Sequence, residues 1–104
     1  MVDEKVEKHF RIIRDDSLVH HWGHSTKAFV EDGVIVYTSA GSSSCPPIVE
    51  KVEQISNEVH LTTKDYSRSI CTRDIKPVAQ IIKYTDGAPV PKHIKIFLDG
   101  RQQN

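Results

Sequence analysis

Short segments in which apolar and polar side chains alternate make up most of this chain. The clearest is the segment 58–63, where Val59 and Leu61 alternate with polar neighbours, a period of two that is typical of a half-buried strand. Turn signals such as Asp-Gly recur at roughly ten-residue intervals, which favours an antiparallel sandwich or small barrel over a βαβ fold. We predict strands over 9–13, 18–22, 27–30, 34–38, 48–55, 58–63, 78–84 and 93–98.

The amino-acid composition favours the same class of fold. Isoleucine and valine number 11 each, whereas the chain has only 3 leucines and 4 alanines, and β-branched side chains pack well on pleated sheets. We therefore predict one all-β domain over residues 1–104, an antiparallel β-sandwich or partly open barrel of about seven strands. Residues 1–8 and 101–104 are expected to be flexible, although the spacing of apolar residues in 2–10 also permits a helix. The expected core draws on alternate strand residues: Phe29, Val34, Val36, Val59, Leu61, Ile81, Ile94, Ile96 and Leu98.

Charge and motif content narrow the classes of function. Fourteen basic residues balance fourteen acidic ones, so the chain lacks the basic excess of a nucleic-acid binder. Its longest apolar run, 34–37, is far shorter than the roughly 20 residues that span a bilayer. It has no P-loop, dinucleotide fingerprint or nucleophile elbow. We therefore expect no cofactor, no nucleic acid, no membrane span, and a monomer or weak dimer.

The two cysteines form the most informative pair of residues. Cys45 and Cys71 both lie at predicted strand borders, where they could come within bridging distance. One interpretation is a disulfide, which would imply an oxidising compartment. A second is a pair of reduced, buried thiols. A third is a reactive Cys45 with a histidine partner, in a small enzyme or redox protein; the prolines that follow, Pro46 and Pro47, and the absence of a helical pattern after them count against it.

The segments around the cysteines resemble those of a family of small bacterial envelope domains, common in actinobacterial lipoproteins and secreted proteins. The resembling stretches read Gly-Ser-Ser-Ser-Cys-Pro-Pro over residues 41–47 and Cys-Thr-Arg-Asp-Ile-Lys-Pro over residues 71–77. The resemblance covers the chain from about residue 29 to residue 100. It implies an all-β domain in which Cys45 and Cys71 are bridged, an envelope or secreted location, and no established activity.

One departure from that family concerns the start of the chain. Members usually begin with a signal peptide and a lipidation cysteine, whereas this sequence opens with Met1-Val2-Asp3-Glu4-Lys5 and has no apolar leader segment there. Two locations therefore stay open: the cell envelope or exterior, if a signal peptide precedes the mature domain, and the cytoplasm otherwise.

Among other residues, the histidines near Trp22 are candidates for metal binding. His20 and His24 could ligate a metal from one face if the chain bends at Gly23, but a further ligand would be needed. We expect no functional metal, and surface imidazoles are the favoured interpretation. Trp22 is expected to pack in the core; the alternative is an exposed anchor in a binding face with Tyr37, Tyr66 or Tyr84.

Arg73 and Asp74 are the remaining candidates for ligand contact. The position of Asp74, three residues after Cys71, favours a structural role in which its carboxylate caps a turn by accepting backbone N–H groups. We expect a non-catalytic envelope-associated or secreted module that binds a protein, a peptide or a cell-wall polymer. The alternatives are an enzyme or redox protein that uses Cys45, and a metal-binding protein that uses His20 and His24.

Overall fold

Eight strands and two short helical segments form the part of the chain that the structure describes. A computed structural model describes residues 9–104. The elements are β1 (Phe10–Arg14), a 3₁₀ helix (Asp16–Leu18), α1 (Val19–Trp22), β2 (Lys27–Glu31), β3 (Val34–Gly41), β4 (Val49–Ile55), β5 (Glu58–Thr63), β6 (Lys76–Tyr84), β7 (Lys95–Leu98) and β8 (Arg101–Gln102).

The strands make two four-stranded sheets that pack together as an open sandwich. Sheet A has the order β1-β6-β3-β2, and sheet B has the order β4-β5-β7-β8. The predicted all-β, sandwich-like fold is thus confirmed. One pair differs from the expected antiparallel arrangement, because β5 and β7 run parallel, with Val59 opposite Ile96. Between these two strands the chain passes through β6 in sheet A.

The prediction of a strand over 18–22 is wrong. This segment contains the end of the 3₁₀ helix and all of α1, because Asp15 caps the helical turn. The Asp15 carboxylate accepts hydrogen bonds from the backbone N–H of Ser17 (3.2 Å) and from its hydroxyl (2.6 Å). Aspartate at this position satisfies an N–H that would otherwise lack a partner. Local capping therefore outweighs the β-branched and aromatic composition of the segment.

The carboxyl terminus, for which we predicted flexibility, makes regular contacts with sheet B. Arg101–Gln102 form β8 against β7. Beyond β8, the side chain of Asn104 accepts from the N–H of Ile96 (3.1 Å) and donates to the carbonyl of Ile94 (2.8 Å). The flexibility expected of residues 1–8 lies outside the described residues. So does most of the candidate helix 2–10, of which Phe10 belongs to β1.

The faces of sheet A carry two different apolar layers. Ile35 and Tyr37 point into the core between the sheets, so Val36 points to the opposite, outer face. Val36 lies opposite Phe29 on one side and Ile81 on the other. Phe29, Val34 and Ile81 are only half-buried and lie outside the core predicted for them. Val36 is fully buried as predicted, with 0 % exposure, although it does not belong to the cluster between the sheets. The other five predicted core residues are buried between the sheets: Val59, Leu61, Ile94, Ile96 and Leu98.

A buried glutamine joins the two sheets. Gln80 on β6 is 3 % exposed and forms two hydrogen bonds with the backbone of Val49 on β4. Its Oε1 accepts from the Val49 N–H (2.7 Å), and its Nε2 donates to the Val49 carbonyl (3.1 Å). The hydroxyl of Tyr84 makes a second connection by donating to Gln54 Oε1 (2.7 Å). Polar groups thus fix how β6 aligns with β4.

Candidate functional site

The predicted disulfide between Cys45 and Cys71 is present. The two Cα atoms are 5.5 Å apart, and the bond closes a segment with a sequence separation of 26. Cys45 is buried, whereas Cys71 lies in an exposed loop. Neither sulfur is a free thiol, so the interpretation of two reduced thiols is wrong for this structure, and Cys45 in its bonded form cannot act as a nucleophile. The disulfide is consistent with an extracytoplasmic location.

Close backbone packing positions the segment that carries Cys45. A Cβ atom added at Gly41 would lie 2.9 Å from Cδ of Pro47, so only glycine lets the end of β3 pass so near this proline. The hydroxyl of Tyr37 donates to the carbonyl of Pro47 from within the core. The chain therefore turns back across the end of sheet A and brings Cys45 beneath Cys71.

Hydroxyl groups and one carboxylate add a second connection beside the disulfide. We call these residues the hydroxyl cluster: Ser42, Ser43, Ser44, Thr72 and Asp74. The hydroxyls of Ser42 and Thr72 are 2.8 Å apart, and the Thr72 N–H donates to Ser44 Oγ (2.9 Å). The Asp74 carboxylate accepts from the Ser43 N–H (3.2 Å) and from the Thr72 hydroxyl. Asp74 thus caps backbone as predicted, but it also links two segments 31 residues apart in sequence.

The hydroxyl cluster changes the acidity of Asp74. Hydrogen bonds from Ser43 and Thr72 favour the charged carboxylate and lower its pKa to about 2. The group is fully exposed, so the shift reflects its hydrogen-bond donors and not burial. Asp74 is consequently ionised throughout the physiological range and contributes a fixed negative charge to the base of the loop.

The tethered loop, residues 64–75, is the most exposed apolar surface among the described residues. Ile70 is 98 % exposed and Ile75 is 78 % exposed, and they lie on either side of Cys71. Arg68 and Arg73 are exposed in the same loop. Isoleucine side chains, unlike those of arginine, are usually buried in a folded domain. The exposure of Ile70 and Ile75 was not predicted from the sequence. The only signal for it is that two apolar residues occur in a stretch without strand alternation.

Trp22 lies on the outer face of sheet A. It is half-buried and packs edge-to-face on Phe29, with ring centroids 6.0 Å apart. Tyr37 and Tyr84 are buried in the core, and Tyr66 is half-buried. The alternative prediction of an aromatic binding face is therefore wrong for Tyr37 and Tyr84, and for Tyr66 it stays a prediction. Arg73 and Asp74, in contrast, do lie together in the tethered loop.

The bend at Gly23, which was the condition for a metal site shared by His20 and His24, is present. Gly23 has a φ of +82° and ends α1 after Trp22, and His20 and His24 are exposed on either side of it. Within residues 9–104, no group of three or more His, Cys, Asp or Glu side chains is placed to hold a metal ion. The structure thus supplies no third ligand for the two histidines from this part of the chain.

Comparison of the chain with models of protein families, with curated proteins and with solved structures finds no match. In the part of the chain that the structure describes, no helix is long and apolar enough to cross a membrane. Hypotheses about function therefore depend on the geometry of the tethered loop and the hydroxyl cluster.

Proposed function

We propose that this protein is a non-catalytic extracytoplasmic binding module, and that the tethered loop is its binding surface. The observation that carries the proposal is the exposure of Ile70 and Ile75 on a loop that a disulfide and the hydroxyl cluster attach to the sandwich. Apolar side chains gain free energy when a partner removes them from water. A loop that is already ordered also loses less conformational entropy on binding.

The charges of the tethered loop favour an acidic partner. Its two carboxylates already have donors within the protein, since Asp65 accepts from the Ser67 N–H (2.9 Å) and Asp74 belongs to the hydroxyl cluster. Arg68 and Arg73 form no ion pair with any residue in 9–104. Two free guanidinium groups next to two exposed isoleucines fit a surface that presents carboxylates around an apolar groove.

A protein or peptide is a better fit to this loop than a cell-wall polymer. Carbohydrate recognition generally uses exposed aromatic rings, which offer an apolar face and a polar edge, and no aromatic side chain between residues 9 and 104 is fully exposed. The extracytoplasmic location is supported by the disulfide.

The test is selection of peptide ligands from a random 12-residue phage-displayed library on the immobilised, oxidised protein. We expect the selected peptides to combine acidic and apolar residues. Their addition should shift the methyl NMR signals of Ile70 and Ile75, and the double variant Ile70→Ser/Ile75→Ser should lose at least tenfold in affinity. Because both side chains are solvent-exposed, the free energy of unfolding of the variant should lie within about 0.5 kcal/mol of the wild-type value.

Ile55 provides the matched control. It is 60 % exposed but lies at the end of β4, by the turn into β5 and outside the tethered loop. The variant Ile55→Ser should bind the selected peptides as the wild type does. The proposal is overturned if no acidic, apolar sequence is enriched, or if Ile55→Ser weakens binding as much as the loop variant does.

A further inference from the structure

Strand β4 is the longest edge strand of the two sheets. It has seven residues, whereas the other edge strands, β1, β2 and β8, have five, five and two. Within residues 9–104, no strand pairs with its outer side. Gln80 occupies the N–H and C=O of Val49, so the open part of this edge is residues 51–55, whose outward backbone groups can accept an additional strand.

The hydrogen bonds of β5 show which β4 residues face that open edge. The carbonyls of Asn57 and Leu61 accept from the N–H groups of Lys95 and Asp99, at 3.0 and 2.9 Å. Odd-numbered residues of β5 thus direct their backbone groups towards β7. The even-numbered residues 58, 60 and 62 consequently face β4, because directions alternate along a strand.

The partners of those even-numbered residues on β4 are Ile55, Glu53 and Lys51. The residues between them, Val52 and Gln54, therefore direct their backbone N–H and C=O groups outward. The side chains of β4 alternate separately, between the outer and the inner face of sheet B. Lys51 and Glu53 lie on the exposed outer face of sheet B, 3.6 Å apart at Nζ and Oε2, whereas Val52 packs against the core.

Pairing of β4 with a second β4 about a two-fold axis can occur in only a few registers, because outward-facing residues must meet each other. Centring the axis on Val52 places each Lys51 opposite the Glu53 of the other copy. Centring it on Lys51 or on Glu53 instead places two like charges opposite each other, which is unfavourable. In the Val52-centred register, the Lys51 and Glu53 pairs are also the non-hydrogen-bonded ones, whose side chains approach most closely.

We propose that two copies of this chain associate through antiparallel pairing of their β4 strands, centred on Val52. The pairing joins both copies of sheet B into one eight-stranded sheet and extends the Val52 packing across the axis. A bulge between Val49 and Lys51 ends regular pairing on one side, so the contact is short. Interfaces well below about 1,000 Å² are weak, and we expect dissociation constants between roughly 0.1 and 1 mM.

Charge reversal tests this register directly. The wild type, the single variants Lys51→Glu and Glu53→Lys, and the double variant with both changes are compared by sedimentation equilibrium at low salt. Each single variant places like charges opposite each other twice and should raise the dissociation constant about tenfold or more. The double variant recreates both unlike pairs and should return it to within about threefold of the wild type.

Arg11→Glu is the matched control, because it makes the same charge change at an exposed position of β1, an edge strand of the other sheet. It should leave the dissociation constant unchanged. In NMR spectra of the wild type recorded at increasing protein concentration, the amide signals that change most should be those of Val52 and Gln54. The proposal is overturned if the wild type stays monomeric up to about 2 mM, if the double variant fails to associate, or if Arg11→Glu weakens association as strongly as Lys51→Glu.

Discussion

Replacement of Gln80 by leucine tests how the two sheets are joined. Leucine has a similar volume, but it removes both hydrogen bonds to Val49 and leaves the N–H and C=O of that residue without their partner in the buried interface. Each unsatisfied buried group costs about 1–3 kcal/mol. The greater apolarity of leucine offsets roughly 1 kcal/mol of the total. We therefore expect the free energy of unfolding to fall by about 1–5 kcal/mol.

The measurement is guanidinium unfolding at pH 7 and 25 °C, with the disulfide intact. Gln54→Leu is the matched control. It removes two hydrogen bonds, one accepted from the Tyr84 hydroxyl (2.7 Å) and one donated to the exposed Ser56 carbonyl (3.1 Å). Water can replace both at this half-buried position, so the variant should cost only about 0.5–1.5 kcal/mol. If Gln80→Leu loses less than about 1 kcal/mol, or no more than Gln54→Leu, then water satisfies Val49 and the glutamine does not join the sheets as argued.

Two further predictions concern the attachment of the tethered loop. The double variant Cys45→Ala/Cys71→Ala removes a crosslink with a sequence separation of 26 and should lower the free energy of unfolding by about 3–4 kcal/mol, because the unfolded chain regains loop entropy; an unchanged denaturation midpoint would contradict this. The pKa of Asp74, about 2 in the folded protein, lies below the ordinary aspartate value of about 3.9. Its stabilising contribution should therefore be complete above about pH 4 and be lost as the pH falls towards 2. NMR titration of the Asp74 carboxyl should show a midpoint near 2, and wild-type stability should fall more across this window than that of Asp74→Asn; a midpoint near 4 would show that the hydroxyl cluster does not act on this group.

The sequence pattern identified strands well where alternation and turn signals agreed. The segment 58–63 alternates strictly and is bounded by a turn before it, and it forms β5 with Val59 and Leu61 in the core. The segment 18–22 has equally strand-like residues, but they follow Asp15. A single capping carboxylate was sufficient to start a helical turn there, and a composition argument gives such a local contact too little weight.

Assigning residues to a face was harder than locating the strands. Phe29 and Ile81 were correctly placed in strands, but they are half-buried on the outer face of sheet A instead of lying in the core, and Val36 is buried on that same face. The cause is that this sheet is apolar on both faces, with Trp22 covering part of the outer one. Alternation is informative only where one face is polar. In β3, where residues 35–39 are all buried, the pattern has no period from which to choose the inner side.

The candidate site was only partly accessible to sequence analysis, for a related reason. Cysteines and aspartates carry specific chemistry, so the Cys45–Cys71 bond and the capping role of Asp74 could be expected from residue type and spacing. The exposure of Ile70 and Ile75 is instead a consequence of the attachment of their loop. The disulfide and the hydroxyl cluster hold Cys71, Thr72 and Asp74 against the segment 42–45, and the isoleucines on either side are then directed away from the sandwich. The same contacts that stabilise the loop therefore keep its apolar side chains from the core, which is why we propose binding, and not packing, as their role.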